Sequence, residues 1–206
     1  MFSKEKIMKT GLFILSAVAI LLITAQVLIS QSTKDIEQYK YTVIKSYDDF
    51  EVRQYEEAIF SSVDLNSKSY RDNSGSGFRV LAGYIFGGNE RNEEIAMTSP
   101  VAMKLGDNTQ KMSFMVPSSY KMESLPTPNN DNIYFEEKKA CVMAAVRFGG
   151  WANDEKIAFH KEKLEKALKK MGLKHNGNFS YFGYNPPYEM TNRRNEVVVE
   201  LINFKK

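Results

Sequence analysis

The sequence predicts an α+β protein in which antiparallel strands curl together with two helices packed outside them, behind an N-terminal membrane-spanning segment. Three observations predict it. Strand-like stretches rich in aromatic and β-branched residues flank a helical stretch, and the order strand–strand–helix–strand–strand occurs twice. Each helical stretch repeats apolar residues at three and four positions and ends at glycine. Ahead of both lies a 19-residue run, Gly11 to Ile29, without a charged side chain.

That run comes first. A helix of about 20 apolar residues crosses the roughly 30 Å hydrocarbon core of a bilayer. Lys4, Lys6 and Lys9 precede it, whereas Lys34 is offset by Asp35 and Glu37. The positive-inside rule keeps the first ten residues cytoplasmic and sends the rest across. Leu28 and Ser30 around Ile29 make a poor small-x-small site, which favours an uncleaved signal-anchor over a removed signal peptide. The expected organisation is therefore an anchor over 1–30, a polar tether over 31–40 and a globular extracytoplasmic domain over 41–204.

In the globular part, YTVIKSY and FEVRQYE flank the turn-prone Asp48–Asp49 and predict a hairpin, with AIFSSVDLN as the next strand. Phe78, Leu81, Ala82 and Ile85 then fall at helical spacing before Gly87–Gly88, though Gly75 and Gly77 leave the start of that helix poorly defined. Strands follow around 95–105 and 109–116. Pro117 to Asn130 reads as a long connection. The second half repeats the order, with strands near 132–139 and 140–148. A helix then runs from an Asn153 cap to Met171 and stops at Gly172. Ile157, Leu164, Ala167, Leu168 and Met171 form its apolar stripe. Strands near 179–184 and 196–202 close the chain.

Composition excludes several functions. The chain has 206 residues and a net charge of +3, of which the first thirty residues carry +2. The remainder lacks the clustered basic surface that nucleic acid requires. A single cysteine, Cys141, rules out an internal disulfide and cysteine-rich metal sites, and only two histidines, His160 and His175, are present. No nucleophile elbow, zinc-protease motif or P-loop occurs, so no enzyme is expected.

Four stretches, FRVLAGYIFGGNE (78–90), IAMTSPV (95–101), VRFGGWA (146–152) and GYNPPYEMTNRRNEV (183–197), resemble the SOUL/haem-binding protein family over about 41–202. The resemblance implies a distorted, duplicated barrel of eight strands flanked by two helices. It also implies a cleft for a non-covalently held haem or other tetrapyrrole. One wall would be Phe78, Leu81, Ala82 and Ile85; the other would be Tyr184, Pro186, Pro187, Tyr188 and Met190, with Met97 at the floor. The same architecture resembles bacterial effector-binding domains, which take up bulky hydrophobic ligands.

The residues can be weighed against that implication. Asn185–Pro186–Pro187 makes a stiff ledge, and tyrosines stack on flat rings while their hydroxyls stay wet. Haem propionates want guanidinium groups at the rim, for which Arg79, Arg193 and Arg194 are the candidates; an internal pair with Glu196 is the competing role for the last two. Some family members carry a histidine after the arginine that corresponds to Arg53. Here Gln54 follows, so strong iron ligation is not expected. His160 reads as a half-buried helix residue, His175 as an exposed turn residue, Met97 and Met103 as core fillers, and Cys141 as a buried, inert thiol. The expected function is haem or tetrapyrrole binding for buffering or transfer. The alternatives are a sensor or scavenger of other bulky hydrophobic molecules, a cleft for a partner's amphipathic helix, and the metal removal from chlorophyll-type rings that the resemblance associates with some relatives, for which no residue set is visible here.

Overall fold

The computed structural model describes residues 8–9, 12–18, 20–21, 24, 36–67, 69–106, 110–187, 189 and 192–204. Much of the anchor expected over Gly11–Ile29 lies outside them, as do Tyr188 and Met190 of the expected cleft wall. The described N-terminal positions are helical, and Leu12, Phe13, Ile14, Leu15, Val18, Ile20 and Leu21 are exposed. Among the described residues no helix is long and apolar enough to cross a membrane.

The chain runs β1 (Glu37–Gln38), β2 (Tyr41–Ser46), β3 (Glu51–Tyr55), β4 (Ala58–Leu65), α1 (Tyr70–Ile85), β5 (Thr98–Ser99), β6 (Val101–Lys104) and β7 (Gln110–Met115). It continues as β8 (Tyr134–Lys138), β9 (Cys141–Phe148), α2 (Asp154–Lys170), β10 (Ser180–Gly183) and β11 (Asn195–Glu200). Nine strands form one antiparallel sheet in the order β2-β3-β9-β11-β10-β6-β7-β4-β8. Exchanging β3 with β8, β4 with β9, β6 with β10 and β7 with β11 gives the same order of those eight strands read from the other end. The first and second halves of the chain therefore supply equivalent strands about the central β6–β10 pair, and each half lends one strand to the other's flank through β3–β9 and β4–β8. The terminal strands β2 and β8 do not pair with each other, so the sheet is a curled half-barrel rather than a closed barrel.

Residues directly opposite in a ladder share a face, which divides the sheet cleanly. Val52, Met103, Met112, Phe114, Ala144, Val146, Val197 and Val199 face outward and are buried beneath Leu81 and Ile85 of α1 and Ile157, Leu164 and Leu168 of α2. Tyr55, Phe60, Met115, Met143, Phe182 and Val198 face inward and form a second apolar cluster around Tyr39. Tyr39 lies within the expected tether, yet it is buried: β1 pairs with β5 in parallel, and the Tyr39 N–H donates to Ser99 O at 2.8 Å. The fold thus begins before the boundary the polar composition suggested, because a short strand pairing and one buried aromatic ring outweigh a hydrophilic local sequence.

The start of α1 is sharper than its glycines imply. Ser69 caps it, accepting from Asp72 N–H at 3.4 Å, and Asp154, the first residue of α2, accepts from Tyr70 N–H at 2.6 Å and from Ser69 Oγ at 3.1 Å. A carboxylate at a helix N-terminus satisfies orphan amides and favours the helix dipole. This cross-cap draws the first turns of the two helices together. In α2, Asn153 accepts from Lys156 N–H at 2.9 Å and Gly172 turns the chain at φ +66°. Met171 is 48% exposed instead of completing the stripe; after the turn at Gly172, Leu173 packs on the core in its place. His175 also departs from expectation. It is half-buried, bridges Leu201 and meets the Phe179 ring edge-on at 5.2 Å.

Candidate functional site

Where the first turns of α1 and α2 converge over the outer face of the sheet, they leave a cavity of about 380 Å³, within the usual range for small-molecule sites. Tyr70, Ser74, Gly75 and Phe78 form the α1 wall; Val101, Met103, Met112, Tyr181 and Gly183 form the sheet floor; Trp151, Ala152, Pro187 and Arg193 close the remaining sides. Gly75 has nothing within 4 Å of the place where a Cβ would stand, so its lack of a side chain keeps this wall open. Phe78 leans on Phe114, with 5.3 Å between ring centroids, and Tyr70 meets Tyr181 edge-on at 5.1 Å.

Polar groups around the cavity hold its walls. Asn195 is buried; its Oδ1 accepts from the Tyr181 hydroxyl at 2.7 Å and its Nδ2 donates to Gly150 O at 2.7 Å. Burial, reinforced by neighbouring Tyr70, raises the Tyr181 pKa far above that of an ordinary phenol, so this hydroxyl stays protonated. Gly150, at φ +76°, takes a left-handed turn that suits glycine and precedes the 52%-exposed Trp151. Lys156 donates to Trp151 O at 3.1 Å. Arg193 stacks on the Trp151 ring at 4.2 Å and ties down its own loop, donating from Nη1 to Pro186 O at 2.8 Å and to Glu189 O at 2.6 Å. Its buried Nε has no hydrogen-bond partner among the described residues.

Of the residues expected in the cleft, the structure brings Phe78, Pro187 and Arg193 together. Leu81, Ala82 and Ile85 lie in the core between α1 and the sheet. Arg79 is exposed and lines no part of this cavity; Met97 packs half-buried against the core, and Met103 and Met112 form the floor instead. Pro186 contributes its carbonyl to Arg193. Tyr184 and Arg194 lie on the opposite side of the sheet, because alternation along β10 sends Tyr181 outward and carries Phe182 and Tyr184 inward. The signals that would have found Tyr181 and Trp151 were in the sequence: period two for the first, and a lone tryptophan in VRFGGWA for the second.

The inward side holds a buried charge network. Arg53 grips Glu196 with both terminal nitrogens, at 2.7 and 3.1 Å, and Arg194 Nε reaches the same carboxylate at 3.0 Å. Tyr184 donates to it at 2.9 Å, and Arg194 stacks on the Tyr184 ring at 3.8 Å. Gln54 donates to the carbonyls of Tyr55 and Cys141, a structural role. Cys141 is a half-buried free thiol whose pKa is raised by burial. His160 is half-buried and stacks on Phe148 at 4.2 Å. Among the described residues no histidine or cysteine lines the outer cavity, and no cluster of His, Cys, Asp or Glu could hold a metal ion.

Comparison with known proteins bears on what such a cavity belongs to. Heme-binding protein 1 of Xenopus laevis is 30% identical over 155 residues, covering 72% of this chain and 81% of the relative. Heme-binding protein 2 of Homo sapiens is 27% identical over 156 residues, covering 72% and 76%. Among solved structures, the C-terminal domain of EcmrR matches with a TM-score of 0.57 at 11% identity, covering 81% of this chain and 99% of that one. A hydrolase from Listeria innocua matches with a TM-score of 0.52 at 6% identity, covering 84% and 97%. These two likenesses are of fold alone. The family model for SOUL heme-binding protein matches residues 36–200, and the chain belongs to that family.

Proposed function

We propose that this protein binds haem or a closely related tetrapyrrole, without covalent attachment, in the outer cavity between α1 and the loop joining β10 to β11, and that it buffers or hands on that ligand. The observation that carries the reading is an apolar cavity bounded by Phe78, Trp151 and Tyr181 and closed by the Arg193 guanidinium, in a chain of the SOUL family. The residues fit the group: flat aromatic and methionine surfaces suit a macrocycle, and Arg193, whose Nε has no partner among the described residues, suits a propionate. Haem would supply the planar apolar body and the two carboxylates; the protein supplies desolvation and orientation. Among the described lining residues there is no histidine or cysteine and the Tyr181 hydroxyl is protonated, so iron would find only the thioethers of Met103 and Met112 as side-chain donors from the floor. Binding in place of chemistry agrees with the relatives, which are named as binding proteins.

The test is an absorbance titration of the full chain in lipid nanodiscs with haemin, repeated with Phe78→Glu. A desolvated wall makes an added carboxylate costly by several kcal/mol, so saturable binding should be lost in a variant that still folds. Equal binding by both would remove haem from this cavity. A second reading, uptake of other bulky hydrophobic molecules, is favoured by Gln54, whose amide is committed to backbone and gives iron no hold. Competition between haemin and hydrophobic cations separates the two.

We also infer that residues 11–29 anchor the domain to a membrane and leave it outside the cytoplasm. The exposed apolar side chains at the described helical positions support this, as do Ser16 and Thr24, whose hydroxyls donate back to Phe13 O and Ile20 O at 2.8 Å. Alkali extraction of membranes, with protease access from each side, tests it; a chain released by alkali would end the idea.

A further inference from the structure

The inner face of the half-barrel carries a cavity that the tetrapyrrole reading does not use. Phe60, Met143, Phe182 and Val198 supply its apolar walls, Tyr39 lies among them, and it encloses about 290 Å³. The sheet separates it from the outer cavity: Ala102 and Lys104 line the inner one, Val101 and Met103 the outer. Its polar end, where Lys104, Lys111 and Lys138 stand among Glu136, Glu137 and Glu200, opens at the edge of the barrel.

Tyr39 is the exception on this face. Its ring packs on Tyr55 at 4.7 Å and edge-on against Phe60 at 5.4 Å. The residue is 2% exposed, and its hydroxyl has no hydrogen-bond partner among the described residues. The other phenols here are satisfied: Tyr55 and Tyr41 accept from Arg53 and Arg194, and Tyr184 donates to Glu196. A buried hydroxyl left unpaired forfeits its hydration without return, and the backbone bond from Tyr39 N–H to Ser99 O fixes the residue in place. Burial first, then Cys141, Tyr55 and Glu200, push this phenol far above its ordinary pKa, so it remains a donor.

We propose that the inner cavity is a second binding site, for a compact uncharged molecule with an apolar or aromatic body and one oxygen that accepts the Tyr39 hydroxyl. The walls take the body by contact, and the phenol selects the oxygen. The site stands independently of the tetrapyrrole reading.

The probes are acetophenone and its near-isosteric hydrocarbon cumene, followed by ligand-observed NMR on the full chain, with a haemin titration in parallel. Wild type should bind acetophenone more tightly than cumene. Tyr39→Phe keeps the ring and removes the hydroxyl; it should weaken acetophenone by about three- to tenfold, the worth of one neutral hydrogen bond, and leave cumene unchanged. Ala102→Phe fills the cavity and should abolish both while sparing haemin. Absence of binding by wild type, an unchanged ketone-to-hydrocarbon ratio in Tyr39→Phe, or full binding by Ala102→Phe each overturns the proposal. Loss of haemin binding alone leaves it standing.

Discussion

The guanidinium of Arg193 stacks on the indole of Trp151, 4.2 Å from the ring centroid, while its Nη1 holds two carbonyls of the loop before β11. Two segments more than forty residues apart are thereby joined across the mouth of the outer cavity. Stacking of this kind is worth about 0.5–2 kcal/mol, and a lysine can reproduce neither the plane nor the fork. Arg193→Lys and Trp151→Ala should each weaken haemin binding by about tenfold, or about 1.4 kcal/mol. Titration of the two variants beside wild type checks this; an unaffected Arg193→Lys would mean that charge alone suffices.

Gly75 and Gly77 are two residues apart on α1 and should respond oppositely to alanine. A Cβ at Gly75 meets nothing within 4 Å, and the helix gains about 0.5–1 kcal/mol from losing a glycine. A Cβ at Gly77 would stand 2.9 Å from Leu65 Cδ2 and 3.2 Å from Met112 Cβ, an atom tied to the β7 backbone. Such overpacking costs about 1–3 kcal/mol. Thermal melts should show Gly75→Ala above wild type and Gly77→Ala below it. Gly75→Phe, which fills the cavity, should remain folded and lose haemin.

Glu196 sits between Arg53 and Arg194 with its side chain fully buried. Burial alone would raise its pKa, but the hydrogen bonds and charges of the two arginines outweigh this and hold it below the ordinary carboxylate range. Its contribution is therefore present above about pH 4.3, the unfolded value, and is lost as pH falls through the lower folded value. Glu196→Gln takes this anion from buried Arg53, whose Nε keeps only the part-exposed Glu51 at 2.8 Å, and from half-buried Arg194, and should cost about 3 kcal/mol at neutral pH. Urea melts between pH 7 and 3 should show wild type losing more stability than the variant below pH 4.

His160 stacks on Phe148 with a buried Nδ1 that has no partner among the described residues. Burial, then Lys163 and Lys156, lower its pKa. The unfolded chain thus takes up a proton first, near pH 6.5, and stability falls as pH drops from there through the folded value. His160→Phe keeps the stack and removes the titration. Its melting temperature should exceed that of wild type by more at pH 5.5 than at pH 8; an equal gap at both would show that the ring is free to charge.

Much of the architecture was legible in local pattern. The Asp48–Asp49 hairpin, the stripe of α2 and its Asn153 cap follow from residue spacing and side-chain chemistry that act over a few positions. The start of α1 was not legible, because its glycines obscure the local Ser69 cap and the carboxylate that reinforces it belongs to Asp154, more than eighty residues away. The site divided in the same way. Phe78, Pro187 and Arg193 came from the family resemblance, whereas Tyr70, Tyr181 and Trp151, though their residue types were visible, reach the cavity only through packing between distant segments.

The sequence by itself determined the α+β class, the order of strands and helices, the absence of cysteine-rich metal chemistry and the family to which the chain belongs. Periodicity and composition are local, and a charge or an aromatic ring reads the same wherever it falls. Only the tertiary structure decided which of two faces each residue serves. Tyr181 points to the outer cavity while Phe182 and Tyr184 point into the half-barrel; Arg193 closes the cleft while its neighbour Arg194 is spent on Glu196. The physical reason is the pleat: successive strand residues point to opposite faces, and only the curled sheet, with both helices on its outer side, gives those faces different work.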